Sequence, residues 1–556
     1  KNVVIGYEAN TNGTNTDSAV IIGYQAGQYS SAAKNVLIGD RTGFYVAGDN
    51  NVAIGVQAMQ AASGATGANN VAIGTDTLFL NTSGSSNVAI GPNTLRDNTS
   101  GKQNVGIGNV ALYENITGSD NIAIGHNAMR LNTVGDSNIG IGTQALYSNT
   151  TGQYNAALGY QTLYSNTTGK QNVAIGFESL YSNTIGLQNV SVGYKNLRAN
   201  TTGSENVAVG YETLLSNTTG HRNVAVGNQS LYYNLTGAFN VAIGKQALMQ
   251  NKTSNNIGIG YEALQENTTG RYNVAVGDRA LTTNTTGQYN VAIGFEVLQD
   301  STTGNLNVAL GYQTLKANTT GQYNVGIGAS VLKLNTIGQF NVGIGYNVLT
   351  NNTTASYNVG IGYETLKNNT TGQFNVAVGY NCLPNSTVGL QNTAIGYSSM
   401  VNTTTSRDNV SVGYKAAQRN TTGSYNVAIG SNALYENTVG QYNIAMGYFA
   451  LYDNTTGNTN VAIGSEALRY NTTGKSNVAI GEGVLKDNTT GQQNIAIGQN
   501  ALFKSTTASY NIGLGNQTLF ETTSGQYNFA AGYQSMRENV TGQENIAIGS
   551  NSLQAN

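Results

Sequence analysis

Charge is the scarcest property of this 556-residue chain. Only 9% of its residues are Asp, Glu, Lys or Arg, and 25 basic against 27 acidic residues leave a net charge of −2. Ordinary domains carry roughly a quarter charged residues. So little charge provides no electrostatic surface for nucleic acid or an anionic membrane. Disorder is also disfavoured, because disordered chains of low hydrophobicity usually carry a high net charge.

Proline, cysteine and long apolar runs are nearly absent as well. The chain has 2 Pro and 1 Cys beside 71 Gly, whereas collagen needs abundant Pro and a strict three-residue Gly period. A single cysteine, Cys382, excludes an intrachain disulfide framework and zinc sites built from several cysteines. No apolar run reaches the length of about 18 residues that a membrane-spanning helix needs. We therefore expect no membrane insertion within this segment.

What the sequence has in abundance is one motif, whose clearest copy is NTTGQYNVAIG at residues 284–294. With the Asn of NVAIG as position one, the consensus is N-V-A-I-G-Y-x-[AT]-L-x-x-N-T-T-G-x-[YF]. Copies begin at residues 2, 19, 35, 51 and 70, then every 17 residues from 87 to 240 and from 256 to 545, which makes 33. Such a period indicates a solenoid, in which each unit buries its apolar side against its neighbours. Residues 1–50 hold shorter, irregular repeats and 51–556 the regular ones. Because the chain starts and stops inside a repeat, we expect it to be a segment of a longer one.

The motif predicts an all-β fold. Helical repeats need about 33 to 47 residues, and 17 residues rich in Gly, Asn and Thr cannot form two helices. NVAIG is typical of a short strand bounded by turns. Position nine, Leu or Met in almost every regular copy, predicts a second, shorter strand facing the first. The result is a flattened parallel β-solenoid, or β-roll, of about 33 turns and roughly 160 Å, because stacked strands lie about 4.8 Å apart.

Alternation along the strand assigns its two faces. We expect the Val and Ile of positions two and four to point into the coil against the Leu of position nine. Positions one, three and five carry no charged residue in any copy, which predicts that another chain packs closely on that face. Parallel copies of the chain would then meet at contacts that include Ala292, Ala377 and Ala462. The reverse assignment stays open, with Val and Ile between chains and Asn inside each coil.

Two polar features recur at fixed positions. Asn occupies position one in every copy except Ala19, which predicts a ladder of stacked side-chain amides; a local turn bond at each Asn is the alternative. NTTG predicts a corner closed by Gly. Many of these corners also match the N-glycosylation sequon, although the turn alone explains the motif; examples are Asn149, Asn217, Asn369 and Asn488.

No constellation of residues predicts catalysis, a cofactor or a metal. His126 and His221 lie in different copies and at different positions. No Asp recurs at a fixed offset, as in calcium-binding solenoids, and no helix follows a Gly-rich segment, as a phosphate loop requires. Cys382 stands where other copies have Ala or Thr, which predicts a small buried thiol. We therefore expect no enzyme activity, and we expect the charges at positions seven, ten and eleven to mark a solvated edge.

Tyrosine is common, with 34 residues, and it clusters at positions six and seventeen. Stacking of these rings along an edge is the favoured interpretation, and glycan binding is the alternative. The residues concerned are Tyr160, Tyr211, Tyr312, Tyr363 and Tyr414 at position six, and Tyr272, Tyr289, Tyr323 and Tyr442 at position seventeen.

The strand motif N-V-A-I-G-Y, and most closely SAVIIGYQAGQ at residues 18–28, resembles the head repeats of trimeric autotransporter adhesins and related repeats of bacteriophage tail fibres. The resemblance covers the whole chain and implies a left-handed parallel β-roll, a parallel homotrimer, and exposure on a cell or virion surface.

We therefore expect a structural extracellular or virion fibre, a rigid rod that could adhere to a host surface glycan or protein. Its expected partner is itself, as a homotrimer or filament, with no nucleic acid. The alternative is an ice-binding or glycan-binding β-solenoid. Adjacent Thr residues in a corner would not form the flat row that an ice-binding surface needs.

Overall fold

A computed structural model describes residues 1–14 and 17–555. Contacts divide the chain into two compact units, Lys1–Val276 and a second that begins at Gly277. The described residues of both units contain short strands and turns but no helix. The predicted all-β solenoid with a 17-residue repeat is therefore confirmed.

The first unit contains strands β1 to β17. Their bounds are β1 Val3–Ile5, β2 Val20–Ile22, β3 Val36–Ile38, β4 Val52–Ile54, β5 Val71–Ile73, β6 Val88–Ile90, β7 Val105–Ile107, β8 Ile122–Ile124, β9 Ile139–Ile141, β10 Ala156–Leu158, β11 Val173–Ile175, β12 Val190–Tyr194, β13 Val207–Tyr211, β14 Val224–Asn228, β15 Val241–Ile243, β16 Ile257–Ile259 and β17 Val274–Val276.

The second unit contains strands β18 to β33. Their bounds are β18 Val291–Ile293, β19 Val308–Tyr312, β20 Val325–Ala329, β21 Val342–Tyr346, β22 Val359–Tyr363, β23 Val376–Tyr380, β24 Thr393–Tyr397, β25 Val410–Val412, β26 Val427–Ile429, β27 Ile444–Met446, β28 Val461–Ile463, β29 Val478–Ile480, β30 Ile495–Ile497, β31 Ile512–Leu514, β32 Phe529–Ala531 and β33 Ile546–Ile548.

Within each unit, every strand pairs in parallel with the next strand of the sequence, and equivalent positions face each other. Val291 pairs with Val308 and Ala292 with Ala309. The register holds where the repeat length changes, because Val52 still pairs with Val71 across a 19-residue repeat. We call one turn of the solenoid, usually 17 residues, a coil. Each strand residue therefore lies beside the residue at the same repeat position in the next coil.

The preferred assignment of the strand faces was wrong: as in the reverse assignment, position three lies inside the coil and positions two and four face outward. From β2 to β33 position three, the second residue of each strand, is buried, while the residues on either side face solvent at least in part. Ala292 is fully buried, whereas Ile293 is 39% exposed. Ala292, Ala377 and Ala462 therefore lie inside the coil and not at contacts between chains. In the regular repeats the inward position three is always Ala, Gly or Ser, and it packs beside the buried residues of positions eight and nine.

The predicted second strand was also wrong. Residues around position nine form turns, in which positions seven and nine take left-handed backbone angles; Glu296 and Leu298 both have φ of 51°. This conformation costs a non-glycine residue roughly 1–2 kcal/mol. Burial of a Leu side chain contributes about 1.5–3 kcal/mol, so the buried Leu298 offsets the strain. The turn also lets the consecutive residues Val297 and Leu298 both point inward, which a strand does not allow.

Two ladders of asparagine run through the coil interior. At position one, Asn307 donates its backbone N–H and a side-chain N–H to Oδ1 of Asn290, at 3.0 and 3.1 Å, and its second side-chain bond goes to the Gly321 carbonyl. At position twelve, Asn335 Nδ2 donates to Asn318 Oδ1 and to the Gly338 carbonyl. The position-one ladder was predicted. The position-twelve amides combine a ladder with the predicted local turn bond.

The NTTG corner is closed by convergent hydrogen bonds. The backbone N–H groups of Thr285, Thr286 and Gly287 all donate to the carbonyl of Thr302, and Thr285 Oγ1 donates to the same oxygen at 3.0 Å. The hydroxyl of the Thr at position thirteen therefore bonds to the backbone of the next coil, whereas the Thr at position fourteen is exposed.

Two buried hydroxyl pairs show how neighbouring positions adapt to each other. Position three is Ser only at Ser191 and Ser411, and each lies 12 residues after a position-eight Ser. Ser179 Oγ donates to Ser191 Oγ at 2.6 Å, and Ser399 Oγ donates to Ser411 Oγ at 2.8 Å. The sequence analysis missed these pairs, although both copies with Ser at position three follow a copy with Ser at position eight.

Replacing Gly294 by Val should destabilise the coils around it by about 3 kcal/mol or more. Gly294 has φ of 128°, a conformation that side chains rarely adopt, and a Cβ would overlap the Gly311 carbonyl oxygen of the next coil. Gln288→Val, in the partly exposed corner, is the control and should change little. Hydrogen exchange of strand amides measures both, and equal tolerance of the two substitutions would contradict the assigned geometry.

Replacing Ser386 by Asn should stabilise its region by about 1 kcal/mol. Ser386 interrupts the position-twelve ladder, and Asn369 Oδ1 and Ser386 Oγ are both buried without a hydrogen-bond partner. An Asn would donate to Asn369 as the other copies do. Asn352→Ser makes the opposite change within an intact ladder and should cost about 2 kcal/mol. Local opening free energies from hydrogen exchange give both values; a destabilising Ser386→Asn would show that the ladder does not stabilise the coil.

Candidate interaction surfaces

The strand face is the most continuous apolar surface of each unit. We use this name for the side chains of positions two and four. Val291 is half-buried and Ile293 is exposed, and in every strand of both units positions two and four are at least partly exposed. These side chains are not needed inside the coil, where Ala and Leu already fill the space. No residue within 1–14 and 17–555 covers this face, which makes it the first candidate for an interaction.

Aromatic side chains form columns along the coils, as predicted. At position six, the rings of Tyr363, Tyr380 and Tyr397 stack with centroids 5.0 Å apart and are nearly parallel. At position seventeen, the rings of Phe340 and Tyr357 stack at the same distance. A ring inside such a column has both faces against its neighbours, so mainly edges and hydroxyl groups face solvent. Glycans are usually bound on open ring faces, and the columns offer few of them.

Position ten continues this stacking with cations between the rings. Arg96 lies over Phe79 and Tyr113, with its guanidinium carbon 5.2 and 5.4 Å from the ring centres. Arg130 lies between Tyr113 and Tyr147 in the same way, at 5.8 Å from each. Such cation–π contacts stabilise exposed sites by about 0.5–1 kcal/mol, so these arginines are part of the stacking.

Charged residues at positions seven and ten pair between neighbouring coils. Glu296 accepts hydrogen bonds from Lys316 Nζ at 2.6 Å and Gln313 Nε2 at 2.8 Å, and Arg279 lies 3.3 Å away. The bond from Lys316 holds the pKa of the Glu296 carboxyl below its ordinary value. A carboxylate held in this way is a poor proton acceptor, so the cluster joins coils and is not poised for acid–base chemistry. The edge was predicted to be solvated, but Glu296 itself is buried.

The two histidines and the cysteine stay apart. His126 contacts Asn127 in its own coil, and His221 lies edge-on to the Phe239 ring at 5.3 Å. Cys382 is buried, as predicted, and its thiol donates to the Gly396 carbonyl. Burial raises the pKa of the Cys382 thiol, which disfavours the reactive thiolate. Within 1–14 and 17–555, no group of three or more His, Cys, Asp or Glu residues could hold a metal ion.

One open depression of about 490 Å³ interrupts the position-ten column in the first unit. Leu215 replaces the aromatic ring there, and Ala199 is small, so the surface sinks between Lys195 and Glu212. Arg198 at its rim already donates to Glu178 at 2.6 Å. No buried polar group points into the depression, and its chemistry does not define a ligand.

The candidate glycosylation residues lie in the interior. All four are completely buried, with 0% accessibility: Asn149, Asn217, Asn369 and Asn488. Each donates its Nδ2 to the ladder and to a glycine carbonyl, as Asn149 does to Asn132 and Gly152. A glycan on that nitrogen would break the ladder and has no space. The turn interpretation of NTTG therefore accounts for these residues without modification.

Comparison with known proteins adds no relative to this picture. Neither a family model nor a curated protein sequence matches the chain. None of the described residues belongs to a helix long and apolar enough to span a bilayer. The fold places the chain among parallel β-solenoid repeat proteins, and its function has to be argued from the surfaces described above.

Proposed function

We propose that the chain is a structural fibre segment that assembles as a parallel homotrimer and is exposed on a cell or virion surface. The observation that supports this proposal is the continuous strand face. Unit two alone has 16 strands, and at about 4.8 Å per strand its face extends over roughly 75 Å. Soluble monomers rarely expose a contiguous apolar patch of more than a few hundred Å².

The geometry of the face favours a parallel partner of identical repeat. Val and Ile recur once per coil at fixed positions, so a second copy in the same direction places equivalent apolar residues at the same height. Closed rotational symmetry gives every copy the same contacts and covers the strand face of each copy. The number three is carried from the resemblance of the strand motif to trimeric adhesin heads and phage fibre repeats.

A fibre role agrees with the interior of the coils. Backbone bonds link each coil to the next, and the two amide ladders and the aromatic columns add further links in most coils; these links resist bending and local unfolding. We propose that the chain acts by length and stiffness, and that adhesion to a host glycan or protein would require features at particular coils. Covered ring faces and the bonded Thr285 hydroxyl give no support to the glycan-binding and ice-binding alternatives.

Cysteine cross-linking tests the assembly and its direction in the full chain. In a Cys382→Ala background, Ile293→Cys would place thiols beside one another at the trimer axis, and oxidation should give covalent dimers from most chains. Ala292→Cys is the matched control; its side chain points into the coil, so it should give few. Sedimentation of the unsubstituted protein should give three times the chain mass of 58.1 kDa.

Two results would contradict the proposal. A stable monomer at micromolar concentration would show that the strand face needs no partner. Equal cross-linking of both variants would show that position four has no special place between chains.

A further inference from the structure

A second periodicity, longer than one coil, marks the NTTG corner. Ile337, Val388 and Val439 replace the exposed Thr of position fourteen, and 388 − 337 and 439 − 388 are both 51 residues, or three coils of 17. In the first unit, Val134 and Ile185 are also 51 residues apart. Leu235 and Val540 occupy the adjacent position thirteen in coils of the same phase.

The apolar corner residues are therefore concentrated in every third coil. From residue 87 onward, eight corners carry a Val, Ile or Leu at position thirteen or fourteen, and seven share this phase. Ile116 is the one out of phase, and two in-phase corners keep Thr, at Thr286 and Thr490. The seven in phase, which we call the corner knobs, are Val134, Ile185, Leu235, Ile337, Val388, Val439 and Val540.

Common descent of a three-coil unit does not by itself explain the pattern. Position ten of the same coils holds unrelated residues, among them Arg130, Tyr181, Lys333 and Pro384. If the period were only a remnant of duplication, it would persist equally at this position. The corner has kept the period where position ten shows none, so something at the corner depends on it.

The corner knobs are exposed, and folding does not require them. Their side chains are 42–51% accessible, and Thr occupies the same place in most coils. An exposed Ile or Val in place of Thr adds nothing to the ladders or to the coil interior. At about 4.8 Å per coil, knobs that are three coils apart, such as Ile337 and Val388, stand roughly 14 Å from each other.

We propose that the knobbed corner is a docking surface for a second copy of this assembly, so that fibres associate side by side. A partner that contacts Ile337, Val388 and Val439 together has to repeat every 14 Å or so along a straight line. Three coils of this same solenoid have that repeat, and sliding by three coils restores the match.

Electrostatics and valency favour a like partner. The corners 336–340, 387–391 and 438–442 contain no charged residue, so two copies approach without repulsion between like charges. Each knob offers only a small apolar contact. Once one knob is in contact, the contacts of the other knobs are intramolecular. Several weak contacts can then together give a useful affinity.

Sedimentation velocity over a range of concentrations tests the proposal. The full chain should show reversible doubling of its basic assembly, whatever number of chains that assembly contains. Replacing all seven corner knobs by Thr should weaken the doubling at least about tenfold and leave the basic assembly and its circular dichroism unchanged, because Thr is the usual residue there.

A matched control removes apolar surface elsewhere. Tyr435, Tyr452 and Phe503 lie in the position-ten column, where other coils carry Gln, and replacing all three by Gln should leave the doubling intact. Absence of doubling in the unsubstituted chain would overturn the proposal, and so would doubling that persists in the Thr variant. Failure of the proposed trimer would instead change the mass of the basic assembly, so the two failures are distinguishable.

Discussion

The hydrogen bond between each buried asparagine and its counterpart in the next coil is the constraint on which the rest of the fold depends. An amide buried without partners costs about 1–3 kcal/mol, and most coils bury two of them, such as Asn324 and Asn335. The bonds are available only if equivalent positions lie directly above one another. The in-register parallel stack and the nearly constant repeat length both follow from this requirement.

With so much of the interior occupied by amides and backbone, little room remains for apolar side chains. Nearly every regular coil buries one Leu or Met together with a small residue at position three and, in most coils, another at position eight. The larger β-branched residues of the strand have to face outward. A single coil is thus weakly stabilised by its own interior and strongly by its neighbours, as in other solenoids. Outward Val and Ile also give the chain the surface through which we propose that it assembles.

Much of this architecture was predictable from the repeat. The NVAIG strand, the parallel stack and the position-one ladder follow from the period and from residue types that have one common role. The strand faces were not predictable from alternation alone, since both faces lack charge and alternation does not say which is interior. The decisive clue was size: Ala, Gly or Ser at position three of every regular copy indicates a position closely packed on the Leu of position nine in the interior.

The turn at position nine could not be predicted from the sequence for a different reason. Leu298 in a left-handed conformation contradicts its local preference, and only stacking on the adjacent coils stabilises it. The three-coil period of the corner was present in the sequence, but the exposure of its residues became apparent only once the corner had been placed.

Exchange of asparagine side-chain amide protons tests the central claim most directly. In protein with isotopically labelled asparagine, the side-chain protons of positions one and twelve should exchange about as slowly as strand backbone amides. An exposed amide such as that of Asn109 should exchange rapidly and provides the reference. Rapid exchange of all asparagine side chains, with the strand amides still protected, would contradict the account, because the coils would then be stacked without the ladders.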